Sequence, residues 1–484
     1  MLVKLNLKTQ WRTIYVILWA LMFNICKAEE EIAGVIILFR PGTSTPRNKI
    51  SSDNSSWFSQ YTPGSLLPAG KRQTYTLGRQ MYLEYQSLLK SYSYPKSIIE
   101  LTAMNSNAQI TGMEAFSVGL LQNISSTEIK RDVQPPWSKP VATPNFSTPL
   151  PGGIESAMIN SSETQTLDYL FGLSEQYACP NINLRSTRDE IKRVDRIFSN
   201  SNFTGSLESA LNTFSLSATT RPLKDTTNLY KGSRIFEYIV AEYHATKTPR
   251  ISKSSRVYND MRIAYESYVM TTQQDPQTSA LVNSPIAKAI ERNLRSIMLL
   301  PPLRPGNRIF AYSGHDKFML GFLIILKLIS PECVYGQLEG KPRDADVCVE
   351  FPHPSSSFII ELVKISSKET GITKPYVKLK YNGRYVGLGA AKLQVLEDPK
   401  IELKRFIDYL LASTVDKWED ECGLGKFSSS IGSGFSKWGS ILLGSCILLL
   451  LLLFTVVYFF YRKEQIERAS RNTIEQPISG RTSL

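Results

Sequence analysis

Apolar and polar positions predict strands near both ends of a long segment of the chain. Val35 to Phe39 is a short β-branched run that ends in a Pro-Gly loop. Strand patterns return at Arg308 to Tyr312, Ser357 to Val363 and Tyr376 to Tyr381. Asn382-Gly383 follows the last run, and this dipeptide is typical of a tight hairpin turn.

Helical periodicity dominates between these strands. The apolar residues from Tyr75 to Leu88 have amphipathic spacing, and Gly112 to Leu121 predicts a second helix. From about residue 164 to 300 the pattern is mostly helical, as in Thr187 to Phe198, Ile235 to His244 and Ala287 to Met298. We therefore predict an α/β fold with a central mixed sheet flanked by helices and an inserted α-helical cap at about residues 150–275. Residues 133–165 contain six prolines and predict an extended loop.

Both ends of the chain carry signals of membrane targeting. Residues 1–28 combine early basic residues, an apolar stretch and small residues before Glu29, which predicts a secretory signal peptide; an uncleaved anchor is the alternative. Ile441 to Tyr461 holds 21 residues without charge, enough to cross a bilayer as a helix. Arg462 and Lys463 follow directly, so residues 462–484 are predicted to form a cytoplasmic tail.

These signals predict a single-pass type I membrane protein. Residues 29–425 form its ectodomain, in the extracellular space or the endolysosomal lumen, and residues 426–440 form a Ser/Gly stalk. Four cysteines lie in the ectodomain, an even number that suits an oxidising compartment. Five Asn-x-Ser/Thr sequons predict a glycoprotein, at Asn54, Asn123, Asn145, Asn160 and Asn202.

The net charge of the chain is +13, of which +4 lies in the signal region and +2 in the tail. The remaining +7 belongs to the ectodomain and the stalk, and this mildly basic balance favours anionic partners. A solvated basic surface is the commoner meaning of such a charge. We find no nucleic-acid motif and expect no nucleic-acid partner.

The loop after the first strand carries candidate chemistry. Arg40-Pro41-Gly42-Thr43-Ser44-Thr45-Pro46 directly follows Phe39. This segment resembles Arg-His-Gly-x-Arg-x-Pro, the signature of the histidine acid phosphatase family within the histidine phosphatase superfamily. Pro41 lies where the family has its nucleophilic histidine, and Ser44 lies where it has a phosphate-binding arginine.

Further segments match the family in the same order along the chain. Leu67-Pro68-x-Gly70-x-Arg72-Gln73 is similar to a family segment that precedes a helix. Tyr312-Ser313-Gly314-His315-Asp316 resembles the family's Ser-Ala-His-Asp motif, and Ala280 to Asn283 precedes it at about the family's distance. With the cysteine contexts at Cys179 and Cys422, the resemblance covers roughly residues 33–422.

The resemblance implies roles for individual residues. Arg40 would clamp a phosphoryl group, because a planar guanidinium matches its oxygens. His315 would be a second phosphate donor, and Asp316 would protonate the leaving oxygen. A further family arginine aligns with the stretch Ser106 to Thr111, which contains no arginine; Ala108 or Gln109 takes its place.

These replacements predict an inactive or severely impaired enzyme. The nitrogen of Pro41 is an amide without a proton and cannot attack phosphorus. Loss of a covalent nucleophile typically lowers kcat on the order of 10⁶-fold. Each missing charge-assisted bond to phosphate costs roughly 1.5–3 kcal/mol more.

Alternatives to this interpretation stay open on the sequence. One is an active acid phosphatase with a displaced nucleophile, for which His315 is a candidate; Thr43, Ser44 and Thr45 have no identified base. Of the other two histidines, His244 is assigned a structural role in a helix. His353 is assigned to a solvated loop. The inactive chain could retain a cleft for a phosphorylated or anionic ligand, lined by Arg40, His315, Arg72 and Arg47. It could equally act as a structural or adhesive surface protein.

The resemblance also implies a disulfide between Cys179 and Cys422, which leaves Cys333 and Cys348 as the second pair. It implies no cofactor and no metal. Because dimers are common in the family, a homodimer is a further expectation.

Overall fold

The described residues of the computed structural model are 29–46, 61–90, 98–104, 106–121, 159–161, 184–199, 201–216, 223, 226–245, 248–272, 276–300, 306–339, 348–366, 372–388, 399–422, 452–453 and 455–464. One compact unit ends at Cys422, and a second begins at Gly423. The predicted signal peptide and stalk lie outside the described residues.

The predicted transmembrane span is described only in part. Of residues 441–461, the structure describes 452–453 and 455–461, which are helical and exposed. Among the described residues, no helix has both the length and the apolar character needed to cross a bilayer. The span therefore stays a prediction.

A mixed sheet organises the first unit, as predicted. Its strands in the described part of the chain are β1 (Glu29–Phe39), β2 (Ile99–Ala103), β3 (Ile159–Ser161), β4 (Ile309–Ser313), β5 (Ser357–Ser366), β6 (Thr373–Tyr381), β7 (Arg384–Val386) and β8 (Ile401–Glu402). Their order is β3-β2-β4-β1-β5-β6-β7, and β8 pairs with β6. The first four strands of this order run parallel, whereas β5 to β8 pair antiparallel.

Strand β1 lies at the centre because it is apolar on both faces. Ile36 and Leu38 pack into one hydrophobic core, and Val35, Ile37 and Phe39 pack into the other. This alternation follows from the two-residue repeat of a strand, and burial on both faces explains the continuous apolar run.

The turn between β6 and β7 also agrees with its sequence signal. Asn382 and Gly383 have φ values of 48° and 77°. Two successive residues with positive φ are characteristic of a type I′ hairpin turn, which Asn-Gly accommodates with little strain.

Helices cover both faces of the sheet and form the cap. Those described are α1 (Pro68–Glu84), α2 (Gln86–Lys90), α3 (Asn107–Leu121), α4 (Leu184–Ile197), α5 (Ser201–Thr213), α6 (Asn228–Ala245), α7 (Arg256–Thr271), α8 (Pro276–Leu299), α9 (Asp316–Ile325), α10 (Pro331–Tyr335), α11 (Leu403–Ala412) and α12 (Trp418–Glu421). Residues of α1 and α3 share the smaller core with β1, whereas α4 to α7 contribute to the larger one. The helices α4 to α7 supply the predicted cap.

One strand falls inside a region predicted as loop and cap. β3 pairs in parallel with β2, so residues 159–161 belong to the central sheet. The described helices of the cap begin at Leu184. Within the predicted cap at about residues 150–275, the described residues therefore include β3 as well as the helices from Leu184 onward.

Disulfides and sequons are described in part. Cys333 and Cys348 form a disulfide. Cys422 is also disulfide-bonded, and Cys179 lies outside the described residues. Among the predicted sequons, Asn202 is exposed at the start of α5 and Asn160 lies in β3. The others, at Asn54, Asn123 and Asn145, lie outside the described residues.

Candidate functional site

Sheet topology brings the two halves of the predicted site together. Strands β1 and β4 are parallel neighbours, and Phe39 pairs with Ser313 at their carboxyl ends. Arg40 and His315 therefore leave the sheet at the same edge. β2 ends there too, since Ala103 also pairs with Ser313, and α3 begins shortly afterwards. Such edges are the usual ligand sites of α/β sheets.

A cavity of about 600 Å³ lies at this edge. Its wall includes every predicted site residue of the degenerate motif: Arg40, Pro41, Ser44, Ala108, Gln109, His315 and Asp316. Arg72 is not among the lining residues, and Arg47 lies outside the described part of the chain. The structure thus places the retained and the replaced positions around one space.

The loop after β1 is held by the start of α1. Gly42 and Gly70 cross so closely that a Cβ on Gly42 would lie 2.2 Å from the carbonyl oxygen of Gly70. The amide of Gly42 donates to Thr74 Oγ1 at 2.8 Å, and that of Thr43 donates to Gln73 Oε1 at 2.9 Å. The Gly-x-Arg-Gln segment noted in the sequence therefore shapes the loop of the site.

Pro41 fills the position aligned with the family nucleophile. It is buried and lines the cavity, and its carbonyl accepts a hydrogen bond from the amide of Ser355 at 3.1 Å. Its ring lies against α3, because a Cβ on Gly112 would be 2.7 Å from Pro41 Cβ and Cγ. A packed proline ring therefore occupies the position that the resemblance aligns with the nucleophilic histidine.

His315 caps helix α9. Its Nδ1 accepts a hydrogen bond from the amide of Phe318 at 3.0 Å, and the residue is only 5% exposed. In the neutral imidazole the proton then lies on Nε2, which makes that nitrogen a hydrogen-bond donor. This tautomer suits a phosphate donor and does not suit a nucleophile.

Tyr265 of helix α7 lies between the two retained charged residues. Its phenol donates a short hydrogen bond to Asp316 Oδ2 and accepts one from Arg40 Nη2 at 3.2 Å. Arg40 Nη1 donates to the carbonyl of Pro352 at 2.8 Å and lies 3.9 Å from Asp316 Oδ2. The side chain of Tyr265, which comes from the cap, thus lies between Arg40 and Asp316.

Burial and neighbouring charge perturb these groups. Burial raises the pKa of Tyr265 well above its usual value, so the phenol keeps its proton at neutral pH. Burial opposes the charge of Arg40, but Tyr265 and Asp316 beside it outweigh this effect and raise its pKa. The guanidinium and the phenol therefore hold fixed donor and acceptor roles.

Two hydroxyls of the motif loop, those of Thr43 and Thr45, bond to the segments packed beside the loop. Thr43 Oγ1 donates to Gln73 Oε1 at 3.2 Å, and Thr45 Oγ1 donates to the carbonyl of Thr62 at 2.8 Å. Ser44 forms an isolated β-bridge with Leu66. These contacts explain Thr43 and Thr45 as structural residues.

All three histidines of the chain line the cavity. His244, to which the sequence assigns a structural role, lies in the last turn of α6 and lines the cavity. His353 has a side chain that is 39% exposed, with Nε2 3.9 Å from Glu266 Oε1. His353 therefore lies in a loop that also lines the cavity.

Two cap helices supply a second wall that the sequence did not reveal. One face of α6 contributes Tyr230, Arg234 and Glu237, and one face of α7 contributes Arg262 and Tyr265. Their spacing of three or four residues places them along one side of each helix. That periodicity was visible, but which face met the cavity depended on packing.

Positive charge dominates the cavity wall. It contains the cations Arg40, Arg234, Lys253, Arg262 and Lys317, against the carboxylates Glu237 and Asp316. Such a balance attracts an anion. Within the described residues, no group of three or more His, Cys, Asp and Glu side chains could hold a metal ion.

Solved structures share this fold. The chain is similar to a Hafnia alvei phytase in complex with tartrate, at TM-score 0.53 and 14% identity over 80% of this chain and 98% of that one. It is similar to a Bifidobacterium longum multiple inositol polyphosphate phosphatase in complex with inositol hexasulfate, at TM-score 0.53 and 10% identity over 81% and 94%. A Citrobacter braakii phytase matches at TM-score 0.50 and 16% identity over 81% and 99%.

Sequence comparison extends these structural matches. No curated protein sequence matches the chain. A sequence model described as histidine phosphatase superfamily (branch 2) matches residues 38–382. This match begins within β1 and ends in the β6–β7 turn, so it includes the whole site and the cap. The chain therefore belongs to branch 2 of the histidine phosphatase superfamily.

Proposed function

We propose that this chain is an inactive or severely impaired member of the family that binds a phosphorylated or otherwise anionic ligand in its cavity. One observation carries the proposal. Pro41 fills the nucleophile position in a cavity that Arg40, His315 and Asp316 still line. The site keeps groups that suit an anion and lacks the group that would attack it.

The magnitudes favour binding over turnover. Loss of the nucleophile removes on the order of 10⁶ in kcat. The cations that remain in the wall still favour an oxyanion, since each charge-assisted hydrogen bond contributes about 1.5–3 kcal/mol. The phytase with tartrate and the phosphatase with inositol hexasulfate show anionic ligands on this fold, which supports the same class of ligand here.

An active enzyme with His315 as displaced nucleophile is the competing function. It requires a free lone pair on His315, whereas Nδ1 accepts the amide of Phe318. The two functions differ in a covalent intermediate. The full-length protein in detergent, mixed with a labelled aryl phosphate at acid pH and quenched rapidly, is expected to carry no phosphohistidine. Label recovered on a His315 peptide would establish the competing function.

We further propose a type I membrane glycoprotein with residues 29–425 outside the cytosol. Support comes from the apolar residues 1–28 and 441–461, from Arg462-Lys463 after the second segment, and from exposed Asn202. Protease treatment of sealed microsomes is expected to spare an epitope tag placed after Glu29, in the lumen, and to remove one placed after Leu484, on the cytosolic side. Enzymatic deglycosylation is expected to increase the mobility of the chain, and an Asn202→Gln variant is expected to lose part of that change.

A further inference from the structure

Arg234 is buried in the cavity wall, and only one of its three guanidinium nitrogens has a hydrogen-bond partner among the described residues. The residue is 7% exposed, and Nη1 donates to Glu237 Oε1 at 2.7 Å. Nε and Nη2 have no hydrogen-bond partner in the described part of the chain. Buried donors without partners are costly, so they need an explanation.

The unused nitrogens have a specific geometry. In a guanidinium, Nε–H and Nη2–H point from the same edge and form a fork that matches two oxygens of an oxyanion. The opposite edge of Arg234 is fixed by Glu237, which orients the fork. Neither Arg40 nor Arg262 offers the same arrangement. Arg40 donates to Pro352 and Tyr265, and Arg262 donates to Glu266 and Gln337.

Tyr265 limits the capacity of Arg40 to bind an anion at the base of the site, the end of the cavity next to β1 and β4. Its phenol occupies the space between Arg40 Nη2 and Asp316 Oδ2, and Asp316 adds negative charge there. Ser44, Ala108 and Gln109 contribute no positive charge to the same end of the cavity. An incoming oxyanion therefore finds Arg40 Nη1 and Nη2 already engaged at the base, whereas two donors of Arg234 in the cap wall are vacant.

Other cations strengthen the cap side. Lys253 lines the cavity, with Nζ 3.8 Å from the centre of the Tyr243 ring. Burial lowers the pKa of Lys253, so a nearby anion would restore its tendency to stay charged. His244, at the end of α6, also lines the cavity.

We propose that Arg234 anchors an oxyanion site in the cap wall, at which the phosphate or sulfate group of a ligand binds Nε and Nη2. This inference rests on the proposed function, since it assumes that the cavity binds an anionic ligand. The proposed site lies at helix α6 and not at the base of the cavity, where the chain departs from the family motif. Both nitrogens are shielded from bulk water. A neighbouring side chain therefore moves when the anion enters.

Calorimetry on the full-length protein in detergent tests the site, with inorganic phosphate and inorganic sulfate as separate probes. Arg234→Gln is expected to weaken the binding of both by about tenfold or more, because a charge-assisted fork is lost. Arg40→Gln is expected to weaken the binding of both by a smaller factor than Arg234→Gln does, since Nη1 and Nη2 of Arg40 are already engaged. Arg256→Gln is a matched control on α7: its side chain is 65% exposed and does not line the cavity.

The outcomes separate this inference from the proposed function. Unchanged affinity in Arg234→Gln with a large loss in Arg40→Gln would place the anion at the base and overturn the inference alone. Absence of binding in the unmodified protein would overturn both. Thermal unfolding without ligand checks the fold of each variant, because Arg234→Gln also removes the ion-pair partner of Glu237. Arg234→Lys keeps the charge but loses the fork, and is expected to bind more weakly than the unmodified protein.

Discussion

The phenol of Tyr265 donates a hydrogen bond to the carboxylate of Asp316, across the boundary between the cap and the sheet. Arg40 donates to the same phenol oxygen at 3.2 Å. In this chain the two retained charged residues of the site are therefore bridged by a side chain of the protein itself. The bridge therefore connects α7 with the segments that directly follow β1 and β4.

Tyr265→Phe is expected to reduce the free energy of unfolding by about 1–3 kcal/mol, because Arg40 and Asp316 lose a buried partner while the ring is kept. Equilibrium denaturation in urea measures the change. Tyr409→Phe is the control outside the cavity, since its phenol donates only to the carbonyl of Leu326 at 3.2 Å among the hydrogen bonds of the described residues. A smaller loss in Tyr265→Phe than in this control would show that the bridge is not a significant stabilising contact.

A buried ion pair in the sheet gives a second prediction. Glu361 is 2% exposed and accepts hydrogen bonds from Lys380 at 2.5 Å and Tyr85 at 2.6 Å. Glu361→Gln is expected to cost about 3 kcal/mol, because the ammonium of Lys380 stays buried with one carboxylate fewer.

Two further variants separate charge from packing at this pair. Lys380→Met combined with Glu361→Gln is expected to recover part of the loss, since no under-compensated ammonium remains. Glu291→Gln breaks a pair with Arg295, whose side chain is 61% exposed, and is expected to change stability by less than about 0.5 kcal/mol. A loss at Glu361 no larger than the loss at Glu291 would refute the prediction.

Alkaline pH should destabilise the fold through its buried tyrosines. Burial raises the pKa of Tyr85 and Tyr265 well above 10 in the folded state. Unfolded tyrosines ionise near pH 10, so above about pH 10 the unfolded state binds fewer protons than the folded state. The free energy of unfolding therefore falls as pH rises above about 10, and this contribution is fully retained below it. Denaturation curves between about pH 8 and 12 measure the slope, which should be shallower in Tyr265→Phe.

Peptide mapping without reduction should recover Cys179 joined to Cys422. Cys422 is disulfide-bonded, and Cys333 is already paired with Cys348. The same digest should contain the Cys333–Cys348 peptide as an internal standard. A peptide that joins Cys422 to any cysteine other than Cys179 would contradict the implied pairing.

Local signals explain why much of the fold could be predicted. The run from Val35 to Phe39 needs only its own apolar character to identify a buried strand, and Asn382-Gly383 needs only its own turn preference. β3 could not be predicted in this way. Its three residues, Ile159 to Ser161, follow a proline-rich stretch and are a strand because β2 offers them a parallel edge.

The candidate site was predictable on one side only. Arg40 and His315 follow strands that can be recognised from the sequence, so their meeting follows from a parallel sheet. Arg234 and Tyr265 come from helices about 200 residues after the motif loop in the chain, and only tertiary packing turns their faces toward it. No local pattern distinguishes these two side chains from other helical Arg and Tyr residues.

Replacing Pro41 alone should not restore catalysis. Pro41→His returns an imidazole, but Ser44 and Gln109 still lack the charge that a phosphoryl group needs. Hydrolysis of an aryl phosphate at acid pH is expected to stay at the blank rate in this variant. A combined Pro41→His, Ser44→Arg and Gln109→Arg variant is expected to show the first measurable turnover.

The most direct test of the central claim is the rate at which the unmodified full-length protein hydrolyses a generic aryl phosphate at acid pH. Because Pro41 has no proton to lose and His315 Nδ1 is engaged by Phe318, we predict a rate equal to that of a His315→Ala variant and of the buffer. Turnover in the unmodified protein that disappears in His315→Ala would contradict the account.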